Sequence, residues 1–270
     1  MILFLQLIMK TLFRNLTLAL AFTARLSAAE PTASELAEKL AALQQDGNSY
    51  VRLRLDVQRP GEAKVALQIQ IKQRRTANAT EVVYQVLWPK ERKGEAVLLR
   101  RAGNQPLTGA IFTPPNTSQA LAAAQGKEPL FGSDLSYADV LENFYAWEKQ
   151  AIVGAETVDR VPCQILESKP GKGQQSSYSS VRSWVDTRRF VPLRVEKYSA
   201  SGQVVRRIDT TSVATDDRKR HIPATLSIRG QKDSVTELDG SRLRHDVIYE
   251  DREFTAGGLG EMKVPRTAAE

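Results

Sequence analysis

The sequence of 270 residues has a single cysteine, Cys163, and only two histidines, His221 and His245. A lone cysteine cannot form an internal disulfide bond, and no spacing among these three residues matches a zinc site. Cys163 lies in the strand-like run Val161–Leu166, so we interpret it as a buried, unreactive thiol. The sequence therefore predicts neither a disulfide framework nor a metal site.

The sequence also lacks the short motifs of the common enzyme classes. It has no Gly-x-Ser-x-Gly elbow, no serine followed three residues later by lysine, and no glycine-rich phosphate loop after a strand. An acidic cluster near the C-terminus, Glu250, Asp251 and Glu253, is interpreted as a solvated strand edge. We expect no catalytic residues and no cofactor, and a protein that is not an enzyme.

Long hydrophobic runs are missing as well, and a short one near the N-terminus has the pattern of a secretory signal peptide. Lys10 precedes the apolar run Leu16–Phe22, and the small residues Ser27–Ala29 follow it. The run is too short to span a membrane, which needs about 20 apolar residues. We predict that residues 1–29 are a signal peptide cleaved after Ala29, and that the mature chain works outside the cytoplasm.

Two further features of this region bear on the prediction. Met1–Ile8 is apolar and lies upstream of Lys10, which makes Met9 a candidate true start. No cysteine follows Ala29 directly, so we expect no lipid-modified N-terminal cysteine and a soluble mature protein.

The charge balance is mildly basic. The net charge is +7, and three of the basic residues, Lys10, Arg14 and Arg25, lie within the predicted signal peptide. Basic pairs such as Arg74-Arg75 and Arg100-Arg101 are interpreted as a solvated face, while attraction to anionic head groups or to an acidic partner stays open. The export signal argues against a nucleic-acid partner.

From Tyr50 onward the apolar residues recur with period two, which is typical of strands with one wet face. Arg59–Glu62 has the composition of a hairpin turn. Consecutive strands at hairpin spacing favour an antiparallel sheet, because parallel strands need long crossovers. The apolar face of the first three strands carries Val51, Leu53, Leu55, Val65, Leu67, Ile69, Tyr84, Val86 and Trp88.

One amphipathic helix is predicted before these strands. Thr32 and Glu35 have capping-box spacing, and Asp46-Gly47 is a typical helix end. The apolar stripe of this helix is formed by Leu36, Leu40 and Leu43.

The middle of the chain is predicted to be less regular. Residues 106–126 are rich in Pro, Thr, Asn and Ala, and a short helical turn is expected at Ser118–Gln125. Ser136 and Asp139 again have capping-box spacing, which predicts a second helix ending near Ala146.

The second half returns to strand patterns, and no repeat or composition break divides it from the first. All-β domains often run to about 200–250 residues, so residues 30–270 are predicted to form a single domain. Its large one-sided sheet must cover its apolar face. We therefore predict a mainly β (α+β) fold in which a curved antiparallel sheet encloses an apolar hollow. The strand candidates are Ala151–Val153, Cys163–Ser168, Tyr178–Asp186, Pro192–Tyr198, Val204–Val213, Ala224–Arg229, Ser234–Leu238 and Val247–Phe254.

Several stretches resemble the outer-membrane lipoprotein-sorting proteins, the LolA/LolB-like family. Phe131–Val140 is similar to their "G-S-D-x-S-Y-x-D" segment. Trp184–Asp186 and Val191–Gly202 resemble their paired strands, in which a "W-x-D" strand precedes a "P-x-x-x-x-x-Y" strand and a glycine turn. Val158–Cys163 resembles their "G-x-P-C" step, with Arg160 where glycine is common. The resemblance extends over the mature chain from the first helix onward.

The resemblance implies an open half-barrel, in which a curved antiparallel sheet wraps around lid helices and leaves an apolar cavity for acyl chains. The best known member carries lipoproteins across the periplasm, from an inner-membrane extractor to an outer-membrane receptor. Because this sequence has no lipid-attachment cysteine, it resembles the soluble, periplasmic carrier type.

The resulting hypothesis is a monomeric carrier that binds acyl chains of a lipoprotein or lipid and makes transient contact with membrane-bound donor and acceptor proteins. The nine apolar residues of the first three strands would line the cavity, and the three leucines of the first helix would form its lid. The first alternative is a periplasmic sensor or adaptor that binds a membrane protein through the same fold. The second is a hydrolase with a dispersed catalytic site.

Overall fold

The computed structural model describes residues 30–44, 47–75, 79–103, 105–174, 176–230, 233–240 and 242–267. The predicted signal peptide, residues 1–29, lies outside the described residues. Pro31–Glu270 forms one compact unit. None of the helices in the described ranges has the length and apolar character that a membrane crossing requires.

Helix α1 (Ala33–Gln44) is the amphipathic helix predicted from the leucine stripe. Its capping box is confirmed, because the Thr32 backbone N–H donates to Glu35 Oε2 at 2.8 Å and the Glu35 N–H donates to Thr32 Oγ1 at 3.3 Å. Asp46, predicted to end the helix, lies outside the described residues. Gly47 has φ +64°, the left-handed conformation that suits a glycine after a helix.

The remainder of the fold is mainly β, as predicted, with sixteen strands in the described ranges. The strands are β1 (Ser49–Gln58), β2 (Val65–Arg75), β3 (Thr80–Trp88), β4 (Ala96–Arg101), β5 (Thr108–Thr113), β6 (Thr117–Ala120), β7 (Lys149–Val158), β8 (Val161–Lys169), β9 (Ser180–Asp186), β10 (Val191–Tyr198), β11 (Val204–Thr215), β12 (His221–Arg229), β13 (Val235–Asp239), β14 (Arg244–His245), β15 (Val247–Ile248) and β16 (Arg266–Thr267).

Fourteen of these strands form one antiparallel sheet. Its order is β6-β5-β4-β3-β2-β1-β13-β12-β11-β10-β9-β8-β7, and β14 adds to the end of β1. The β1·β13 pairing therefore joins a first meander, β1–β6, to a second meander, β7–β13. Within the described residues the end strands β6 and β7 do not pair with each other, so the sheet is open.

Strand register places the alternating apolar residues of the first meander on one face, which we call the inner face. Leu55 lies opposite Leu67, and Ile69 lies opposite both Leu53 and Val86. This shared face follows from the period-two alternation of side chains along each strand. The opposite face is called the outer face.

Two hydrophobic clusters cover the inner face. The first cluster joins β1–β4 to the chain between β4 and β7, and its buried members are Leu55, Val57, Leu67, Ile69, Val82, Tyr84, Val86, Val97, Leu99, Leu107, Leu121, Leu130 and Tyr137. The second cluster joins α1 to β8–β10, and its buried members are Leu36, Ala37, Leu40, Phe144, Tyr145, Trp147, Leu166, Val181, Val185 and Val195.

The predicted second helix does not form. Residues 137–141 form turns, and a 3₁₀-helix follows at Phe144–Ala146. The expected capping contact exists, since the Ser136 N–H donates to Asp139 Oδ2 at 2.8 Å. However, the Asp139 carboxylate is also tied to β10 and β11 through Lys197 and Arg206. These tertiary ion pairs outweigh the weak intrinsic preference for a helix.

The predicted irregular middle also differs, because it contains β5 and β6. The helical turn expected at Ser118–Gln125 is present as a 3₁₀-helix, but it is shifted to Ala123–Lys127. Gly109 in β5 lies so close to β4 that an added Cβ would sit 1.9 Å from the Leu98 carbonyl oxygen. Glycine therefore permits this strand to approach its neighbour, and the same glycine weakens the strand pattern in the sequence.

The chain after β15 packs on the outer face of β2–β5. Phe254 and Leu259 are buried against side chains of β3 and β4. Glu253 is buried too, and its carboxylate pairs with Lys72 Nζ of β2 at 2.5 Å. The prediction of a solvated acidic edge is thus wrong for Glu253, although Asp251 is fully exposed.

Candidate functional site

A cavity of about 450 Å³ lies against the inner face. Small-molecule sites commonly have volumes of about 300–1,000 Å³. Its apolar lining comes from both meanders and includes Val51, Ile71, Val82, Tyr84, Val195, Ile208 and Leu226. Residues 135 and 139–145, between β6 and β7, form one wall of the cavity. We call residues 135–145 the wall segment.

The residues predicted to face a hollow have three different placements. Val51 and Tyr84 line the cavity, and so does Leu43 of α1. Val65 lines a second cavity of about 540 Å³, and Trp88 is 52% exposed and lines neither. The others belong to the packed clusters: Leu53, Leu55, Leu67, Ile69 and Val86 to the first, and Leu36 and Leu40 to the second.

Several lining residues were not singled out from the sequence. Ile71 continues the alternation that contains Leu67 and Ile69, so the signal was present along β2. Val195 and Ile208 also alternate within their strands, but their meeting with β1–β3 depends on the β1·β13 pairing. A sequence pattern does not specify such a long-range pairing.

A buried charge cluster forms the polar part of the cavity. Lys197 Nζ donates to Asp139 Oδ1 at 2.7 Å, and both side chains are at most 2% exposed. Arg206 pairs with the other carboxylate oxygen of Asp139, and the Tyr178 hydroxyl donates to Oδ1 at 2.7 Å. Glu142 Oε2 lies 3.8 Å from Lys197 Nζ. The cluster connects the wall segment to β10 and β11.

The pKa values of the two acids of this cluster are shifted in opposite directions. Burial alone would raise the pKa of Asp139, but the charges of Lys197 and Arg206 outweigh burial and hold this pKa below its usual range. Burial raises the pKa of Glu142, and the more distant Lys197 charge only partly offsets it. The wall segment thus carries one strongly ionised carboxylate and one that is easier to protonate.

Cys163 is 3% exposed, and its Sγ donates to the Val161 carbonyl oxygen at 3.4 Å. Burial raises the pKa of its thiol. The low thiolate fraction makes the sulfur a poor nucleophile, which confirms the interpretation as a buried thiol.

His245 meets two acids that the sequence spacing did not indicate. Its Nδ1 lies 2.5 Å from Asp217 Oδ1, and Asp216 lies on its other side. The Arg220 guanidinium fills the space between them, with Nη2 at 2.9 Å from His245 Nε2 and at 2.8 Å from Asp216 Oδ2. A cation placed here would have to displace Arg220, so these ligands do not fit a metal ion.

Comparison with solved structures identifies the fold. A DUF1329 family protein from Desulfovibrio piger has a TM-score of 0.77 and 20% identity, covering 84% of this chain and 97% of that one. A domain described as an outer membrane lipoprotein-sorting protein, from Vibrio parahaemolyticus, has a TM-score of 0.74 and 18% identity, covering 85% and 98%. A LolA superfamily protein from Nitrosomonas europaea has a TM-score of 0.65 and 19% identity, covering 83% and 98%.

The protein therefore has the LolA-like fold of lipoprotein-sorting domains, which confirms the resemblance found in its sequence. A protein-family model described as "Uncharacterized protein" matches residues 78–261, more than half of the chain, and the chain belongs to this family. No curated protein sequence matches it significantly.

Proposed function

We propose that this protein is a soluble periplasmic carrier that binds acyl chains of a lipoprotein or lipid and hands them to a membrane acceptor. The observation that carries the proposal is the 450 Å³ cavity, whose lining is mostly aliphatic and aromatic. The fold supports it, because similar structures include a domain described as an outer membrane lipoprotein-sorting protein.

In this proposal the open sheet is a half-barrel whose concave side is the inner face. Helix α1 and the wall segment cover that side and leave the cavity between the two clusters. Leu36 and Leu40 anchor α1 in the second cluster, while the half-buried Leu43 reaches the cavity. A small displacement of the last turn of α1 would then open the cavity without unpacking the core.

The energetics favour direct transfer over release into water. Each buried methylene contributes about 0.8 kcal/mol, so an acyl chain of about 15 methylenes would gain roughly 12 kcal/mol from full burial. Spontaneous release would be very slow at that affinity. A membrane-bound donor and acceptor that present another apolar site would let the chain pass without entering water.

The periplasmic location rests on the signal-peptide pattern of residues 1–29. It agrees with the similarity to a domain described as an outer membrane lipoprotein-sorting protein. A binding function also agrees with the absence of common catalytic motifs from the sequence.

The proposal is tested with native mass spectrometry of the protein purified from its own cells and with a fluorescent fatty acid, 11-(dansylamino)undecanoic acid. We expect co-purifying lipid and saturable binding of the probe. The absence of both would overturn the proposal. A protein partner retained without any lipid dependence would favour the adaptor alternative instead.

A matched pair of variants separates cavity binding from surface adsorption. Ile71→Trp places a larger ring in the cavity lining and should abolish probe binding while the protein remains folded. Val153→Trp adds the same ring to the exposed edge strand β7, where the valine is 46% exposed, and should bind the probe normally. Equal binding by the two variants would contradict a cavity site.

A further inference from the structure

One end of the inner face carries two arginines, one on each of the two strands that flank β3. In the sheet register Arg75 of β2 lies opposite Thr80 of β3, and Thr80 lies opposite Arg101 of β4. The three residues therefore form a row across the sheet, on the same face as Ile71 and Leu99. The two arginine Cα atoms are about 10 Å apart, since neighbouring strands are about 4.8 Å apart.

This row borders the cavity. Arg75 and Thr80 are part of its lining, as is Asn143 of the wall segment. Arg101 acts electrostatically on Glu142, another lining residue, and favours its ionised form. The polar row thus borders the apolar lining at the end of the cavity where Arg75, Thr80 and Asn143 lie.

Four buried polar atoms at this place lack hydrogen-bond partners within the described part of the chain. Among the described residues, the buried Nε atoms of Arg75 and Arg101 have no hydrogen-bond partner, and neither do Oδ1 and Nδ2 of Asn143. Burial lowers the pKa of Arg75, with no acid to offset it. Both arginines are partly buried, and those of their polar atoms that are buried would normally be hydrogen-bonded.

The charges around this end of the cavity do not balance. Four cations, Arg75, Arg101, Lys197 and Arg206, face two acids, Asp139 and Glu142, in the described part of the chain. Asp139 is already paired with Lys197 and Arg206. Glu142, the other acid, has its Oε2 3.8 Å from Lys197 Nζ. Both acids therefore lie in ion-pair contact with the other cations and not with the arginines of the row.

We propose that Arg75 and Arg101 bind the anionic head group, a carboxylate or a phosphate, of an amphiphile whose acyl chain occupies the cavity. This inference rests on the acyl-binding function proposed above and adds the charge of the ligand. Guanidinium groups match the planar, bidentate geometry of both anions. Asn143 Nδ2 supplies a further donor at the same place.

The test uses two probes that differ only in charge, 11-(dansylamino)undecanoic acid and its methyl ester, titrated by fluorescence at neutral pH and low salt. The wild-type protein should bind the acid at least about tenfold more tightly, the factor that corresponds to about 1.4 kcal/mol and to the lower end of a hydrogen bond with a charged group. Equal affinity for the two probes would overturn the head-group inference and leave the carrier function standing. Failure of both probes to bind would overturn the carrier function as well.

The variants Arg75→Gln and Arg101→Gln assign the preference to the row. Each should weaken binding of the acid by a larger factor than binding of the ester, and the double variant should bind both probes equally. Arg229→Gln, on the outer face and exposed, should behave as wild type. A preference for the acid that survives in the double variant would overturn the inference.

Two competitors distinguish an amphiphile from a free anion. Dodecyl phosphate should displace the acid probe, and inorganic phosphate at the same concentration should not. Equal displacement by the two would overturn the inference that head group and chain are bound together. Thermal unfolding provides the folding control, because removal of a partly buried charge that has no counter-ion should not lower the melting temperature.

Discussion

Replacing Asp139 with asparagine is expected to cost about 3–5 kcal/mol of folding free energy, the range for a broken buried ion pair. Asp139 accepts hydrogen bonds from the Ser136 backbone, the Ser136 hydroxyl and the Tyr178 hydroxyl at 2.7–2.8 Å. It also pairs with Lys197 at 2.7 Å and with Arg206. Asparagine keeps one acceptor oxygen but removes the charge, and so leaves Lys197, 2% exposed, without a full counter-charge.

The loss is measured by urea unfolding at neutral pH. Since domains are stable by about 5–15 kcal/mol, the Asp139→Asn variant should fold at 25 °C with a melting temperature lowered by roughly 6–20 °C. The control is Asp251→Asn, which removes a fully exposed carboxylate paired with Arg74 and should leave the midpoint nearly unchanged. A loss below about 1 kcal/mol for Asp139→Asn would refute the reasoning, because it is the value of an exposed ion pair.

The pH dependence gives an independent check. The folded-state pKa of Asp139 is lowered, so its stabilisation is fully present above the unfolded value of about 3.9 and is lost as the pH falls toward the folded value. The difference between wild type and Asp139→Asn should therefore shrink below about pH 4. The double variant Asp139→Asn/Lys197→Met should cost less than the sum of its single variants, since the two side chains share one interaction.

Three further predictions concern other buried groups. Glu142→Gln should be more stable than wild type at pH 7 and equal to it below about pH 4, because a raised folded-state pKa means that ionisation opposes folding. A stability difference between the two proteins that stays constant across this pH range in urea unfolding would contradict the prediction. Glu253→Gln leaves Lys72 unpaired and should lower the free energy of unfolding by about 3–5 kcal/mol. It should also expose the C-terminal segment to limited proteolysis, so an unchanged cleavage pattern would count against the buried pair. Leu36→Ala should lower stability by about 2–5 kcal/mol and Leu43→Ala by clearly less, whereas equal losses in thermal unfolding would contradict the different burial of the two leucines.

The parts of the fold that were predicted correctly are those specified by local periodicity. α1 and β1–β4 have an apolar repeat that matches their own geometry, 3.6 residues per turn or two per pleat, and each repeat is long enough to be distinctive. β5 and β6 were missed because Gly109 and the threonine-rich residues around it interrupt the alternation. The resemblance helped where single residues carry backbone information. Arg160, where the family commonly has glycine, adopts φ +69°, a conformation that favours glycine.

The cavity lining was only partly predictable, for a different reason. The sequence shows which residues of a strand share a face, but it does not show which part of that face is filled by other segments. Leu55 and Leu67 have the same pattern as Val51, yet the chain between β4 and β7 fills the inner face above them, whereas Val51 remains at the cavity. The charge cluster was missed because its members lie 58 and 67 positions apart along the chain.

The segment that carries the family resemblance, Phe131–Val140, contributes three residues to the cavity lining and holds this wall against the sheet. Asp134 bonds with the Thr236 hydroxyl of β13 through its backbone N–H at 2.9 Å and through Oδ2 at 2.8 Å. Asp139 is held by β10 and β11 through Lys197 and Arg206, and Tyr137 packs into the first cluster. The segment is therefore attached to both meanders of the sheet.

This attachment separates two roles within one site. Asp134 and Asp139 attach the wall to the sheet through their own hydrogen bonds and ion pairs. Substitutions in the lining, such as at Ile71 or Ile208, can therefore change the shape of the cavity without detaching the wall. Arg75 and Arg101 lie outside this network, since the buried Nε atom of each has no hydrogen-bond partner among the residues that the structure describes. A ligand head group at the arginines would consequently be bound by charges that the fold itself does not need, which is the arrangement expected of a recognition site.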